Sequence, residues 1–154
     1  MVCTQEEMER RVMEELRQRS LREDINRMMA LSYQDCCAKD GTVMLCHRMA
    51  AWERNVMDTM HGGLITFLLD AAMAIACRAC TGDRAMPTMD LYVSFLRPVR
   101  GGEAICVEGR VEHVGRRTIH ASARLWTGGG ERLCAAASAN FCRTAPAGEA
   151  SGGT

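Results

Sequence analysis

The chain has 154 residues, 47% of them hydrophobic and 25% charged, which predicts one globular domain with enough chain to bury a core. Its 19 basic and 19 acidic residues give a formal net charge of zero, so it lacks the basic excess that marks nucleic-acid-binding domains. The nine cysteines follow no paired spacing, and the first 27 residues carry charges throughout instead of a signal sequence, so we expect reduced thiols in a cytoplasmic protein.

An amphipathic helix is predicted near the N-terminus. Residues 4–7 read Thr-Gln-Glu-Glu, a capping box that opens a helix. Met8, Val12 and Leu16 follow at four-residue spacing and form an apolar stripe. The polar face is as acidic as it is basic, which favours packing against a sheet over binding to a membrane. A second short helical piece is predicted over residues 22–29.

Six segments are predicted to be strands, and five of them alternate between apolar and polar residues as half-buried strands do. The first two, residues 32–39 and 42–49, flank Asp40 and Gly41, a strong signal for a hairpin turn. Residues 50–60 then read as a loop. The other four alternating segments cover residues 88–96, 104–114, 118–126 and 133–142.

The longest apolar run covers residues 64–77 and contains a single charge, Asp70. Because the run is apolar on every side, it predicts a helix that is buried on all faces. Its 14 residues fall short of the ~20 that a membrane span needs. A carboxylate in such a helix costs free energy unless it is paired, hydrogen-bonded or protonated, so Asp70 is the first candidate for a functional residue.

The order of these elements is two strands, one helix and four strands. This order predicts an α+β domain in which a hairpin and an antiparallel meander form a sheet of about six strands around one long buried helix. We assign residues 1–30 to an N-terminal helical segment and residues 31–143 to this domain. Residues 144–154 are rich in Ala, Gly and Ser and are predicted to be a disordered tail.

Three residues, His61, Gly62 and Gly63, stand where the apolar helix begins. Glycine lets a ligand approach the backbone closely. The first N–H groups of a helix have no intrahelical partner and carry partial positive charge. The turn is therefore a candidate site for a carbonyl oxygen that acquires negative charge. The alternative is a glycine turn that only leads into a core helix.

The spacing of Asn55, His61-Gly62-Gly63, Asp70 and Thr88 resembles that of the hotdog-fold acyl-CoA thioesterases of the PaaI and THEM2-like type. The resemblance covers roughly residues 31–142, most of the chain. It implies a hotdog fold and hydrolysis of aryl- or fatty acyl-CoA thioesters to the free acid and CoA. No cofactor is implied, since CoA is part of the substrate.

The resemblance also implies roles for individual residues. Asn55 and Gly62 of one subunit would hold the thioester or the attacking water. Asp70 of the other subunit would act as general base or nucleophile, and Thr88 would orient the water or the carboxylate. His61 would support the turn or hydrogen-bond near the carbonyl, and a purely structural hydrogen bond is the alternative for it.

Helix geometry leads to the same shared site. Eight residues separate Gly62 from Asp70, which is ~12 Å of helical rise. One thioester carbon cannot contact both groups within one chain, so we expect a two-fold homodimer with antiparallel helices. We also expect a tetramer of such dimers, which the helix geometry alone does not distinguish from a dimer.

Two kinds of residue are predicted to bind the rest of the substrate. Arg116 and Arg117 at a turn and Arg97 at a strand end would hold the CoA phosphates, and a solvated surface arginine is the alternative for each. Gly63 would allow a close approach. Apolar side chains would line the acyl pocket, namely Met57, Phe67 and Met73.

Other functions remain open at this point. A non-catalytic acyl-CoA-binding protein would use the same scaffold, but it has no need for the Asp70 carboxylate. A hotdog hydratase or dehydratase pairs an Asp with a His at a different spacing. Cys77 and Cys80 have CxxC spacing without a second pair or a nearby histidine, so we expect core cysteines and no metal site.

Overall fold

The computed structural model describes residues 3–144, in which a six-stranded antiparallel sheet wraps around one long helix. The elements in chain order are α1 (Gln5–Ser20), α2 (Ile25–Met28), β1 (Ser32–Cys37), β2 (Thr42–Arg48), a 3-10 helix (Ala51–Glu53), α3 (Gly62–Thr81), β3 (Thr88–Phe95), β4 (Ala104–Val114), β5 (Thr118–Thr127) and β6 (Arg132–Cys142). This architecture confirms the predicted fold class. The predicted disordered tail lies outside the described residues, apart from Thr144.

The N-terminal helix forms as its capping box predicts. Glu7 N–H donates to Thr4 Oγ1 at 3.2 Å, and Thr4 N–H donates to Glu7 Oε2 at 2.9 Å. Met8, Val12 and Leu16 are buried, and they belong to the same hydrophobic core as α3 and the sheet. The N-terminal segment is therefore packed into the core of the domain.

The strand order in the sheet is β1-β2-β4-β5-β6-β3. β4, β5 and β6 form a meander, but β3 pairs with β6 and not with β4. The prediction that the last four strands follow one another across the sheet was therefore wrong for β3. This arrangement makes β3 an edge strand, with one side that is unpaired within the described part of the chain.

Helix α3 lies directly on the sheet. A Cβ atom at Gly109 of β4 would stand 2.2 Å from the carbonyl oxygen of Ala72, so only glycine permits this approach. The helix ends at Gly82, whose φ of 76° is the left-handed conformation of a helix C-cap. The close contact fixes how deeply the helix sits in the curve of the sheet.

The predicted burial of α3 on all faces was wrong for one stripe of the helix. Gly62, Thr66, Asp70, Ala74 and Arg78 are only half-buried in the protomer, because neither the sheet nor α1 covers this side completely. Thr66, Asp70 and Arg78 are the polar residues of this stripe, and their four- and eight-residue spacing is the signal in the sequence that marks it.

The length argument against a membrane span also changes. α3 has 20 residues, and a window with mean hydropathy 1.7 makes it long and apolar enough to cross a membrane. However, 61% of that window is buried inside the protein. Its hydrophobic character is thus accounted for by its position as the core helix of the domain.

Candidate active site

Two hydrogen bonds of His61 hold the turn that leads into α3. His61 N–H donates to the carbonyl of Glu53 at 2.8 Å, and His61 Nδ1 accepts from Gly63 N–H at 3.1 Å. The next N–H group, that of Gly62, has no acceptor among residues 3–144. A Cβ atom at Gly62 would lie 3.4 Å from the ring of Phe95. The turn therefore leaves one polarised donor free beside an aromatic ring.

Asp70 and Thr88 are brought together from different elements. Thr88 is the first residue of the edge strand β3, and its Oγ1 donates to Asp70 Oδ1 at 2.8 Å. The second oxygen of Asp70, Oδ2, accepts no hydrogen bond from residues 3–144. One carboxylate oxygen is thus oriented by the sheet, and the other is available to a ligand or a water molecule.

Asn55 organises its own loop in the protomer. Its Oδ1 accepts from Met57 N–H at 2.9 Å and from Thr59 N–H at 3.2 Å, and its Nδ2 donates to Thr59 Oγ1 at 3.0 Å. Asp58 in the same loop has a φ of 59°, which an aspartate tolerates better than most residues. The protomer does not bring Asn55 to Asp70, and its contact with a thioester stays a prediction.

The three arginines predicted to hold phosphates lie at opposite ends of the sheet. Arg97 follows β3, and its Nη1 donates to the carbonyl of Leu133 at 2.8 Å. Arg116 and Arg117 are exposed in the turn between β4 and β5. That turn lies at the end of the sheet where β3 begins, because Thr88 is aligned through β6 with the start of β5.

The predicted acyl-pocket residues differ in burial. Met73 is fully buried and packs in the core of the protomer. Phe67 is half-buried beside this core, and Met57 is 73% exposed on the loop before α3. Gly63 is exposed at the first turn of the helix. Met73 is therefore not accessible from the surface of the protomer, and the acyl pocket stays a prediction.

Sequence reasoning missed two charged residues near the site. Glu53 lies in the predicted loop, where a carboxylate is expected to be solvated, yet it is completely buried and contacts His47. Arg19 lies on the N-terminal helix, and the negative charge of Asp70 is one of the charges that act on it. No local pattern in the sequence signals either position, because both depend on how distant elements pack.

Within residues 3–144, no group of three or more His, Cys, Asp or Glu side chains is placed to hold a metal ion. The CxxC residues Cys77 and Cys80 are buried, and burial raises the pKa of each thiol to about 12. Neither thiol is therefore prepared to be a thiolate ligand at neutral pH. That the protein needs no metal stays a prediction.

The sequence of the chain matches known proteins over its central part. The family described as the Thioesterase superfamily matches residues 57–134. A candidate esterase of Pseudomonas aeruginosa is 38% identical over 84 residues, and one of Caenorhabditis elegans is 36% identical over 62 residues. The matched segments span 61% and 37% of the length of these curated relatives.

Solved structures share the fold over most of the chain. The zebrafish thioesterase superfamily member 2 has a TM-score of 0.77 at 17% identity, over 85% of this chain and 94% of that one. E. coli PaaI, from the phenylacetic acid degradation operon, has a TM-score of 0.77 at 17% identity, over 90% and 97%. A Streptococcus mutans protein bound to acetyl-CoA has a TM-score of 0.66 at 18% identity, over 75% and 90%. The chain therefore belongs to the thioesterase superfamily and has its hotdog fold.

Proposed function

We propose that this protein hydrolyses acyl-CoA thioesters, aryl or aliphatic, to a free acid and CoA. The observation that carries the proposal is the hydrogen bond from Thr88 to Asp70 on the uncovered stripe of α3. It orients a half-buried carboxylate toward a face that one protomer leaves open. Membership in the thioesterase superfamily supports the reaction class.

The proposed chemistry uses two groups of the chain. The free Gly62 N–H, at the positive end of α3, donates to the thioester carbonyl oxygen and stabilises the negative charge that develops there. Asp70 either takes a proton from the attacking water or attacks the carbonyl carbon itself. In both routes the carbon–sulfur bond breaks, the electron pair leaves with the CoA sulfur, and water finally supplies the hydroxyl of the acid.

We infer that the active unit is a homodimer with two shared sites. Gly62 and Asp70 are ~12 Å apart along one helix, so they reach one thioester only from different chains. One backbone edge of β3 is unpaired within residues 3–144, and the side chains of Met89, Tyr92 and Phe95 on this strand are 59%, 71% and 56% exposed. Such an edge is suited to pairing with another strand, and a second copy would cover these side chains. Two dimers would then form a tetramer.

The choice of a CoA ester rests on what related proteins bind or are named for. The S. mutans structure contains acetyl-CoA, and PaaI comes from an operon for phenylacetic acid degradation. An exposed pair, Arg116 and Arg117, at the same end of the sheet as Thr88 supports binding of the nucleotide phosphates. The proposal requires no cofactor and places the reaction in the cytoplasm.

The test measures the hydrolysis of a panel of thioesters through the loss of thioester absorbance. This readout avoids thiol reagents, which would also react with the nine cysteines. The panel contains phenylacetyl-CoA, benzoyl-CoA and saturated acyl-CoAs from two to sixteen carbons. Hydrolysis of at least one member, abolished in Asp70→Asn, is the expected result. Binding without release would favour a non-catalytic acyl-CoA-binding protein. Crotonyl-CoA is added as an enoyl-CoA, and its conversion without release of CoA would favour a hydratase.

A further inference from the structure

A cluster of charged side chains joins the N-terminal helix to the uncovered stripe of α3. Arg19 Nε donates to Glu15 Oε1 at 3.1 Å, and Arg78 Nη2 donates to the same oxygen. Arg19 Nη1 also donates to Asn26 Oδ1 at 2.6 Å. The side chains of Arg19, Glu15 and Arg78 are only 15%, 22% and 23% exposed. Two half-buried guanidinium groups thus share one carboxylate.

Glu15 is the one carboxylate that hydrogen-bonds these two arginines within residues 3–144, and Asp70 acts on Arg19 only through its charge. Arg78 Nε is buried and has no hydrogen-bond acceptor among residues 3–144. Burial lowers the pKa of Arg19, the charge of Glu15 opposes this effect, and the neighbouring charge of Arg78 lowers the pKa further. A second anion beside the two guanidinium groups would reduce the repulsion between them.

An open cavity of about 370 Å³ lies at the cluster. It is lined by Glu15, Gln18, Arg19, Arg22, Asn26 and Arg78. The side chain of Arg22, on the rim, is 62% exposed and pairs with Asp24 at 2.6 Å. Arg19 and Arg78 therefore remain as the cations that a bound anion would contact. The planar guanidinium group of an arginine can donate two parallel hydrogen bonds to a carboxylate, whereas the ammonium group of a lysine acts as a point charge.

The cavity lies on the side of α3 that also carries Asp70, because Arg78 in its lining belongs to the same uncovered stripe. Asp70 and Arg78 lie on the same uncovered stripe of α3, two turns and ~12 Å apart, and the charge of Asp70 acts on Arg19. An extended chain of six to eight carbons spans roughly 6–9 Å by ordinary bond lengths, so together with the arginine side chains it covers this distance. The nucleotide phosphates lie at the far end of the pantetheine arm, roughly 15 Å or more from the thioester sulfur.

We propose that Arg19 and Arg78 bind a carboxylate at the far end of the acyl chain, so that the preferred substrates are CoA monoesters of dicarboxylic acids. This inference rests on the proposed thioesterase function, because it places the thioester at Asp70. The terminal carboxylate supplies the second anion that the two guanidinium groups lack. An uncharged acyl chain of the same length leaves the repulsion between the two guanidinium groups in place.

The test compares kcat/KM for adipyl-CoA with kcat/KM for hexanoyl-CoA, which differ only in the terminal carboxylate. The wild-type protein is expected to favour adipyl-CoA, and Arg19→Gln and Arg78→Gln each to lower the ratio about tenfold or more, the scale of one charged hydrogen bond. Arg17→Gln is the matched control. Arg17 lies on the same helix, is 58% exposed and pairs with Glu14, so its loss should leave the ratio unchanged.

Glu15→Gln separates binding from structure. The amide oxygen still accepts from both arginines, but the negative charge that competes with the substrate is removed. The adipyl-CoA preference should therefore rise. The proposal would be overturned if all three variants, Arg19→Gln, Arg78→Gln and Glu15→Gln, lowered the melting temperature but left the ratio of the two kcat/KM values unchanged. The cluster would then only join α1 to α3.

Two further outcomes distinguish the possible sources of failure. If Arg19→Gln weakens both CoA esters equally but has no effect on the matching pantetheine esters, the arginines bind the nucleotide phosphates and the proposal is wrong. If no thioester is hydrolysed, calorimetry with the same two CoA esters decides. If the wild-type protein binds adipyl-CoA more tightly than hexanoyl-CoA and Arg19→Gln removes this difference, the anion site is supported and only the thioesterase function is overturned. If it binds the two esters equally, the anion site and the thioesterase function are both overturned.

Discussion

Glu53 and His47 form a buried pair in which His47 Nε2 lies 2.9 and 3.1 Å from the two carboxylate oxygens of Glu53. Their side chains are 0% and 2% exposed. The backbone carbonyl of Glu53 accepts from His61 N–H at 2.8 Å. Strand β2, the 3-10 helix and the first turn of α3 are thus connected through one residue.

We predict that Glu53→Ala strongly destabilises the fold. The change leaves the buried imidazole of His47 without its partner, which typically costs about 3–5 kcal/mol when a buried pair is broken. Glu53→Gln should cost less, because the amide oxygen still accepts from His47. The measurement is the free energy of unfolding in urea at one protein concentration.

The control for this experiment is Glu103→Ala. Glu103 pairs with Arg132 at the surface, where both side chains are more than a third exposed, and such pairs contribute about 0–1 kcal/mol. A loss in Glu53→Ala no larger than in Glu103→Ala would contradict an anchoring role for the buried pair.

For the proposed chemistry, Asp70→Asn should lower kcat by about 10²–10⁴-fold, the usual effect of removing a general base. The amide has the shape of the carboxylate and still accepts from Thr88 Oγ1, so folding and acyl-CoA binding should persist. Thr88→Ala should cause a smaller loss, and Thr88→Ser, which keeps the hydroxyl, should restore most of it. Near-full turnover by Asp70→Asn would make Asp70 a structural residue.

Much of the fold follows from local patterns, and the exceptions have physical causes. The capping box at Thr4 and the hairpin turn at Asp40 and Gly41 are local signals, and both are confirmed. The position of β3 beside β6 depends on a crossover, which alternation within a strand cannot report. Motif spacing pointed to Asp70 and Thr88, whereas Glu53 and Arg19 depend on packing between elements far apart in the chain.

The shared active site predicts complementation between two inactive variants. When Asn55→Ala and Asp70→Asn subunits exchange, one site of each mixed dimer joins the intact Asn55 of one chain to the intact Asp70 of the other. About half the dimers are mixed after random exchange, so about a quarter of wild-type activity should return. Exchange verified by native mass spectrometry without recovered activity would place the site within one chain.

Thiol reactivity should divide the nine cysteines into two classes. Cys77 and Cys80, each with a pKa raised to about 12 by burial, should resist iodoacetamide at pH 8, because only the thiolate reacts. The remaining buried cysteines should resist as well. The half-buried ones should be labelled, namely Cys37, Cys46, Cys106 and Cys142.

The labelled positions can be read by peptide mass spectrometry, with all nine cysteines modified in urea as the control. Cys46 should react more slowly than Cys37, since burial and the neighbouring Cys106 raise the pKa of its thiol. Labelling of Cys77 in the native protein as fast as that of Cys37 would mean that α3 leaves the sheet on the timescale of the reaction.

Because Gly109 of β4 has no side chain, α3 can lie close to the sheet, and this affects the contact between Asp70 of α3 and Thr88 of β3. A methyl group there would stand 2.2 Å from the Ala72 carbonyl oxygen, and relief to an ordinary carbon–oxygen distance of about 3.3–3.6 Å requires α3 to rise by roughly 1 Å. Asp70 belongs to the same rigid helix, whereas Thr88 belongs to the sheet, so their 2.8 Å hydrogen bond would be stretched or broken. The absence of a side chain at Gly109 thus sets the distance between the Asp70 carboxylate and the Thr88 hydroxyl that orients it.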